Sequence, residues 1–207
     1  HLVRQILERV GTNEWQEPAR ALHERLWKPL EGLIASRSVT VVAHGALHYL
    51  PFGALQNSDG KAVIEMYGLR FLPSASVIKF LPKQEGASNQ MLLALGNPDL
   101  GDPKMDLKFA ENEAIGLAQT FPNSRLLVRK DATETTFKKT GGVFGRIHFA
   151  THGKFSSDDP LNSGLYLVKD IDNDGVLTVG ELYAMALDAD LVTLSACETG
   201  LGKVSNG

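Results

Sequence analysis

Short apolar runs alternate with amphipathic stretches along most of this chain. Each run is rich in Val, Ile, Leu or Ala and lacks polar alternation, which is the pattern of a strand buried on both faces. The predicted strands are 39–43, 69–72, 91–95, 126–128, 147–151 and 191–196. The predicted helices between them are 74–81, 107–120, 133–140 and 178–186. Apolar strands that alternate with helices are typical of a largely parallel sheet, so we predict an α/β fold.

The N-terminal region has helical spacing only. Residues 2–10 form one predicted helix, Gly11-Thr12-Asn13 ends it, and a longer amphipathic helix is predicted over 17–35. Four leucines recur in the second helix at helical spacing and are expected to pack: Leu22, Leu26, Leu30 and Leu33. We expect a helical lead-in over residues 1–37 and an α/β region over 38–207. A polar loop at 83–90 is expected to divide the two halves of the chain.

Composition narrows the possible function classes. The chain has 207 residues, of which 43% are hydrophobic and 22% are charged, as in an ordinary single globular domain. Its formal net charge is −3 and its Lys/Arg runs are two residues long at most, so no nucleic-acid contact is expected. Its apolar runs are far shorter than the roughly 18 residues of a bilayer span, so no membrane contact is expected either.

The only cysteine in the sequence is Cys197, so an intrachain disulfide cannot form. This fits a reducing, cytoplasmic compartment. A lone cysteine is usually a small buried apolar residue, so a catalytic role needs support from the surrounding sequence.

Two predicted strands supply that support because they end in reactive residues. Strand 147–151 leads directly into His152-Gly153, and strand 191–196 leads directly into Cys197. In open α/β sheets the chemistry collects beyond the carboxyl ends of the strands. His152 and Cys197 are 45 positions apart, which leaves room for a short hairpin and one crossover helix. A right-handed crossover would make the two strands parallel neighbours and bring both side chains to one sheet edge.

An imidazole and a thiol at one edge are the groups that acyl transfer needs. The thiolate is the nucleophile, and its free pKa lies above neutral, so His152 would activate Cys197. The same ring would then protonate the leaving amine. Gly153 has no side chain, so its backbone N–H could join that of Cys197 in an oxyanion hole.

These motifs resemble those of a known family. Residues 148–153 read His-Phe-Ala-Thr-His-Gly, and residues 194–200 read Leu-Ser-Ala-Cys-Glu-Thr-Gly. In this order and at this spacing they resemble the CHAT domain, a relative of caspases and separases that is often joined to TPR repeats. Further pieces that match are Leu50-Pro51-Phe52, Gly96-Asn97-Pro98 and Asp174-Gly175. The resemblance covers roughly residues 25–207.

The resemblance implies a caspase-like three-layer sandwich over 38–207, in which a mostly parallel sheet is flanked by helices. It implies that His152 and Cys197 are the catalytic dyad of a cysteine endopeptidase that cleaves a protein partner. A partner or ligand is expected to activate it, with a regulatory protein or a TPR region as the expected partner, and no cofactor is required. Because the family fold continues with further strands, we expect the domain to be truncated shortly after the nucleophile, at Gly207.

Position 195 departs from the pattern of caspases proper. Caspases carry Gln-Ala-Cys-x-Gly, whereas here Ser195 replaces the Gln and Gly200 lies one residue later. The Gln position of caspases helps to line the pocket for an aspartate side chain. Ser195 is therefore a candidate substrate-binding residue, but a preference for cleavage after Asp is not expected.

Two alternatives remain open. A catalytically silent signalling or scaffold module could have the same fold and bind protein partners. Residues 170–181 also match the EF-hand loop, with Asp at positions one, three and five, Gly at six and Glu at twelve. The segment before this loop is a predicted strand rather than the required helix, so calcium binding is the weaker interpretation. His148 and the earlier His44-Gly45 pair are interpreted as structural.

Overall fold

The computed structural model describes residues 2–8, 12–81 and 90–196. These residues belong to two compact units that meet in sequence between Lys83 and Gln84. The boundary falls in the polar loop that the sequence predicts at 83–90. The predicted division into residues 1–37 and 38–207 stays a prediction.

The first unit is mostly helical and contains one small parallel sheet. Its α-helices are α1 (Leu2–Glu8), α2 (Gln16–Leu22), α3 (Lys28–Glu31) and α4 (Val63–Met66). Short 3₁₀ helices occupy Asn13–Trp15, Gly45–Tyr49, Phe52–Ala54 and Ala75–Phe80. Strands β1 (Ser38–Val41) and β2 (Gly68–Phe71) pair in parallel.

A π-helical turn at His23–Trp27 joins α2 to α3 and changes which residues face the core. Leu22 and Trp27 are buried in the core of this unit, whereas Leu30 and Leu33 are 48% and 80% exposed. The prediction that all four leucines pack is therefore wrong for the last two. The wider π turn rotates Leu30 away from the face that the ordinary helical period defines. Leu33 lies beyond α3, which ends at Glu31 and not at the predicted residue 35.

The described part of the second unit combines two sheets with three α-helices, and short 3₁₀ helices occupy Pro103–Met105, Gly141–Val143 and Pro160–Asn162. Its strands are β3 (Leu92–Pro98), β4 (Ser124–Arg129), β5 (Arg146–Ala150), β6 (Gly153–Lys154), β7 (Gly164–Tyr166), β8 (Val176–Thr178) and β9 (Leu191–Ser195). Its α-helices are α5 (Lys108–Thr120), α6 (Glu134–Thr140) and α7 (Val179–Tyr183). Four strands form a parallel sheet in the order β4-β3-β5-β9, and β6, β7 and β8 form an antiparallel one. Strands β6 and β8 were not predicted, because two or three residues carry no measurable periodicity.

Helices cover both faces of the central strands of the parallel sheet. The prediction that β9 is buried on both faces is wrong, because all five of its residues are exposed at the edge of the sheet. Strand β3 is buried along its whole length, which shows that both of its faces are covered. Its alternate residues face opposite layers, as in any strand. Leu92 and Ala94 pack with Ala114 of α5, while Leu93 and Leu95 lie in the core cluster that contains Phe137 of α6. The predicted α/β fold is confirmed, with the parallel sheet between helical layers as in a caspase-like sandwich.

Candidate active site

The two strands that precede the predicted dyad are parallel neighbours, as the sequence predicts. Their ladder runs from the Arg146–Leu191 pair to the Ala150–Ser195 pair with a constant offset of 45 positions. His152 and Cys197 have the same offset in the sequence. The ladder therefore brings His152 to the sheet edge at which β9 ends. Cys197 itself lies outside the described residues.

His152 is half-buried and is held at both its backbone and its ring. Its carbonyl oxygen accepts a hydrogen bond from the backbone N–H of Tyr166 in β7, at 2.9 Å. The hydroxyl of Thr151 donates to the carbonyl oxygen of Tyr166 at 2.7 Å. The ring Nε2 of His152 lies 3.0 Å from the carbonyl oxygen of Met105. The end of β5 is thus tied to the antiparallel sheet, and the imidazole is tied to the loop after β3.

The contact with Met105 determines which ring nitrogen carries the proton. A carbonyl oxygen can only accept a hydrogen bond, so Nε2 of His152 is the donor. In the neutral ring Nδ1 is then unprotonated and has a lone pair that can accept a proton.

Gly153 stands on the outer strand of the antiparallel sheet, opposite Leu165. The N–H of Tyr166 donates to the carbonyl oxygen of His152, so residues 152 and 166 form a hydrogen-bonded pair of the ladder. In an antiparallel ladder the next residue has its N–H and C=O directed away from the partner strand. The N–H of Gly153 therefore points away from β7.

Ser195 forms part of a small polar group on the α5 side of the sheet. Its hydroxyl donates to Oε2 of Glu113 at 3.2 Å, and Oε1 of Glu113 lies 3.0 Å from Nε2 of the buried His148. Glu113 thus links neighbouring strands β5 and β9 to helix α5. This contact supports the structural interpretation of His148.

An open groove of about 930 Å³ follows the ends of β5 and β9. Thr151, Leu194, Ser195 and Ala196 line its strand side, and residues 106–110 at the start of α5 line the other side. The groove reaches the residues that immediately precede His152 and Cys197. Its volume lies within the range of ligand-binding clefts.

A polar network around the buried Asn97, which the sequence analysis missed, lies behind the Met105 loop. Asn97, at the end of β3, donates through Nδ2 to Asp106 at 2.9 Å and to Glu111 at 3.0 Å. Its Oδ1 accepts the N–H of Leu107 at 2.7 Å. Hydrogen bonds from Asn97 and from Arg129 hold the pKa of Asp106 below its ordinary value. In the sequence, the Gly96-Asn97-Pro98 motif supported the family resemblance but gave no indication of these partners.

The first and last carboxylates of the EF-hand-like loop bind other groups of the protein. Oε1 of Glu181, at position twelve, lies 2.7 Å from the ammonium nitrogen of Lys138. Oε2 of Glu181 accepts the N–H and the hydroxyl of Thr178, at 2.8 and 2.7 Å, which caps α7. Asp170, at position one, accepts the hydroxyl of Thr135 at 2.8 Å. The described residues include no group of three or more His, Cys, Asp or Glu side chains that could hold a metal ion. The loop as folded does not fit a calcium site.

The fold and the site define a class: an α/β domain in which one parallel strand leads to an anchored histidine and its neighbour leads, by sequence, to a cysteine. The family model of the CHAT domain matches residues 16–207, so the chain belongs to the CHAT domain family. The match begins somewhat earlier than the residue 25 expected from the motifs. A search of curated proteins returned no match. Within the described residues, the helices are all too short or too polar to cross a membrane.

Proposed function

We propose that this domain is a cysteine endopeptidase that cleaves a protein partner with His152 and Cys197. The observation that carries the proposal is the parallel pairing of β5 and β9 with the same 45-residue offset that separates the two residues. Membership of a caspase-like family supports the same chemistry.

The anchored imidazole suggests how the first step would proceed. Nδ1 of His152 takes the proton of the Cys197 thiol, and the resulting imidazolium keeps its Nε2–H bond to the carbonyl oxygen of Met105. The thiolate attacks the carbonyl carbon of the scissile peptide bond, which forms a carbon–sulfur bond and places negative charge on the carbonyl oxygen. The N–H groups of Gly153 and Cys197 donate to that oxygen.

The remaining steps return the enzyme to its starting state. The carbon–nitrogen bond breaks as the imidazolium gives its proton to the leaving amine, leaving a thioester on Cys197. His152 then takes a proton from water, the hydroxide attacks the thioester, and the thiol regains its proton as the acid product leaves. Ser195 contacts the substrate from the wall of the groove. A regulatory protein or a TPR region activates the domain, and the reducing cytoplasm keeps its single cysteine free.

The reactivity of Cys197 tests this proposal without a known substrate, because the sequence contains no other thiol. At about pH 6.5 we expect Cys197 to react with iodoacetamide at least tenfold faster than the cysteine of an unstructured peptide. The change His152→Asn should remove this advantage. The matched control is His44→Asn, which changes another His-Gly pair in the first unit and should leave the rate unaltered.

Cleavage provides the second measurement. Peptide-library digestion followed by mass spectrometry should detect cleavage that Cys197→Ala abolishes while the thermal unfolding midpoint is preserved. Unchanged cleavage in Cys197→Ala would refute the assignment of the nucleophile. A thiol with the ordinary pKa of cysteine and the same reactivity in His152→Asn would instead identify a silent scaffold module.

A further inference from the structure

The end of β3 has an unusual backbone that directs Asn97 inward. Asn97 is 1% exposed and has a φ of 46°, in the left-handed region that is uncommon for residues other than glycine. Its side chain makes three hydrogen bonds, donating to Asp106 and Glu111 and accepting from the N–H of Leu107. One buried amide thus fixes two consecutive residues of the loop and the first turn of α5.

The neighbouring strand ends in the same way. Arg129, which pairs with Pro98 at the end of β4, has a φ of 53°. Its guanidinium forms an ion pair with Asp106 and lies 3.8 Å from Glu111, and its carbonyl oxygen accepts the N–H of Asp99 at 3.2 Å. Left-handed backbone at a residue other than glycine is strained, and such strain often lies at functional sites. Asn97 and Arg129 thus both bind Asp106 near the end of the loop, and the Arg129 carbonyl oxygen also holds Asp99 at its start.

The loop held in this way carries the carbonyl group that contacts the candidate base. Met105 immediately precedes Asp106 and Leu107, the two loop residues that Asn97 binds. The carbonyl oxygen of Met105 lies 3.0 Å from Nε2 of His152. A shift of residues 106 and 107 would move this oxygen and release the ring. The network is therefore connected to His152 by one backbone group.

We propose that Asn97 and Arg129 are positioning residues that act on His152 through the Met105 carbonyl. The inference rests on the proposed function of His152 as the base. Whether Asn97 and Arg129 hold the ring can nevertheless be measured without reference to that function. The two residues hold the ring in the Nε2–H tautomer, with Nδ1 available as the proton acceptor. Without the side chains of Asn97 and Arg129, the His152 ring rotates and samples both tautomers. Proton transfer from the Cys197 thiol to Nδ1 is then slower.

The tautomer can be measured directly by long-range proton–nitrogen NMR spectra of the histidine rings in the ¹⁵N-labelled chain. Comparison with His152→Asn assigns the His152 signals among the six histidines. We expect Nε2 of His152 to be protonated in the parent protein. The change Asn97→Asp keeps the side-chain shape and the acceptor for Leu107 but replaces the donor to Asp106 and Glu111 with an oxygen. It should shift both ring nitrogens toward the average of two tautomers.

Control variants separate positioning from general destabilisation. Asn173→Asp makes the same chemical change in a hydrogen-bonded loop residue of the same unit that does not contact the Met105 loop. It should leave the His152 signals unchanged. Arg129 is partly exposed, so Arg129→Gln is expected to fold even if Asn97→Asp does not, and it should produce the same shift. Arg129→Lys keeps the positive charge and should restore part of the parent signal.

The measurements distinguish failure of the positioning proposal from failure of the peptidase proposal. If Asn97→Asp or Arg129→Gln folds and His152 keeps its parent tautomer, the positioning proposal is overturned. Alkylation of Cys197 should also slow by about tenfold to a hundredfold in these variants. If His152→Asn does not slow alkylation, the proposed peptidase mechanism fails, but the NMR result still decides whether Asn97 and Arg129 position the ring.

Discussion

Lys138 joins three parts of the second unit through one ammonium group. Its Nζ forms ion pairs with the fully buried Glu134 and with Glu181, and it donates to the side-chain oxygen of Asn173 at 2.6 Å. Burial acts to lower the pKa of Lys138, but hydrogen bonds to Glu134 and Glu181 outweigh this effect and raise it above its ordinary value. The other carboxylate oxygen of Glu134 accepts the N–H of Gly175 at 2.8 Å. The positive charge of Lys138 therefore holds helix α6 against the loop after β7 and against helix α7.

The charge of Glu181 should make folding stability depend on acid pH. Burial acts to raise the pKa of Glu181, but hydrogen bonds from Lys138 and Thr178 outweigh it and lower the pKa to about 2, from an ordinary value of 4.5. Because the folded-state pKa is depressed, this stabilisation is complete above about pH 4.5 and is lost as the pH falls toward 2. The variant Glu181→Gln keeps a capping side chain but loses the charge.

We expect parent and Glu181→Gln to differ in unfolding free energy at neutral pH and to converge as the solution is acidified. Urea titrations at several pH values would measure this difference. As a control, Asp172→Asn removes an exposed charge from the same loop and should follow the parent curve. A difference between parent and Glu181→Gln that stays constant down to about pH 2 would contradict the assigned role of the charge.

At the scale of elements, helix α5 lies unusually close to strand β3. A Cβ atom placed on Gly96 would lie 2.5 Å from Cβ of Ala114 and 2.8 Å from the carbonyl oxygen of Ala110. A side chain at this position would therefore push the helix away from the sheet. Glu111 in the first turn of the same helix accepts the hydrogen bond from Asn97 at the end of β3.

Two glycine substitutions test this packing. Gly96→Ala should destabilise the second unit by about 1–3 kcal/mol because the added methyl group overpacks the contact. Gly116→Ala, on α5 itself, places its Cβ where no atom lies within 4 Å, and it should stabilise the helix by about 0.5–1 kcal/mol. Chemical denaturation would measure both effects. An unchanged free energy of unfolding in Gly96→Ala would show that the sheet and α5 can accept the added methyl group without cost, and would contradict the close contact.

At the scale of the whole molecule, calcium binding by the EF-hand-like loop would change the stability of the chain, and this can be measured. The carboxylates at the first and last ligand positions of the EF-hand-like loop, Asp170 and Glu181, are bound to Thr135, Lys138 and Thr178, and calcium would have to displace these contacts. We therefore expect about 1 mM Ca²⁺ to leave the thermal unfolding midpoint unchanged relative to KCl of equal ionic strength. A site with a Kd of about 10 µM would stabilise the chain by about 2.7 kcal/mol at that concentration. A stabilisation of that size, absent with Mg²⁺, would contradict this expectation.

Some elements of the fold could be predicted from the sequence, and others could not. The order of strands and helices in the second unit was predictable, because buried strands and amphipathic helices leave continuous patterns of apolar residues. The π turn at His23–Trp27 was not, since nothing in a run of helix-forming residues marks the extra residue in that turn. Strands β6 and β8 were missed because they are too short to have a pattern.

The sequence by itself determined that His152 follows a buried strand and that the next parallel strand of the sheet precedes Cys197. Local hydrophobic periodicity and the handedness of crossovers are sufficient for that inference. Only the tertiary structure decided that Met105 holds the imidazole, that Asn97 and Arg129 hold the Met105 loop, and that Glu113 reaches Ser195. These contacts join side chains and backbone groups that are distant in the chain, and such pairings follow no period that a single sequence can reveal.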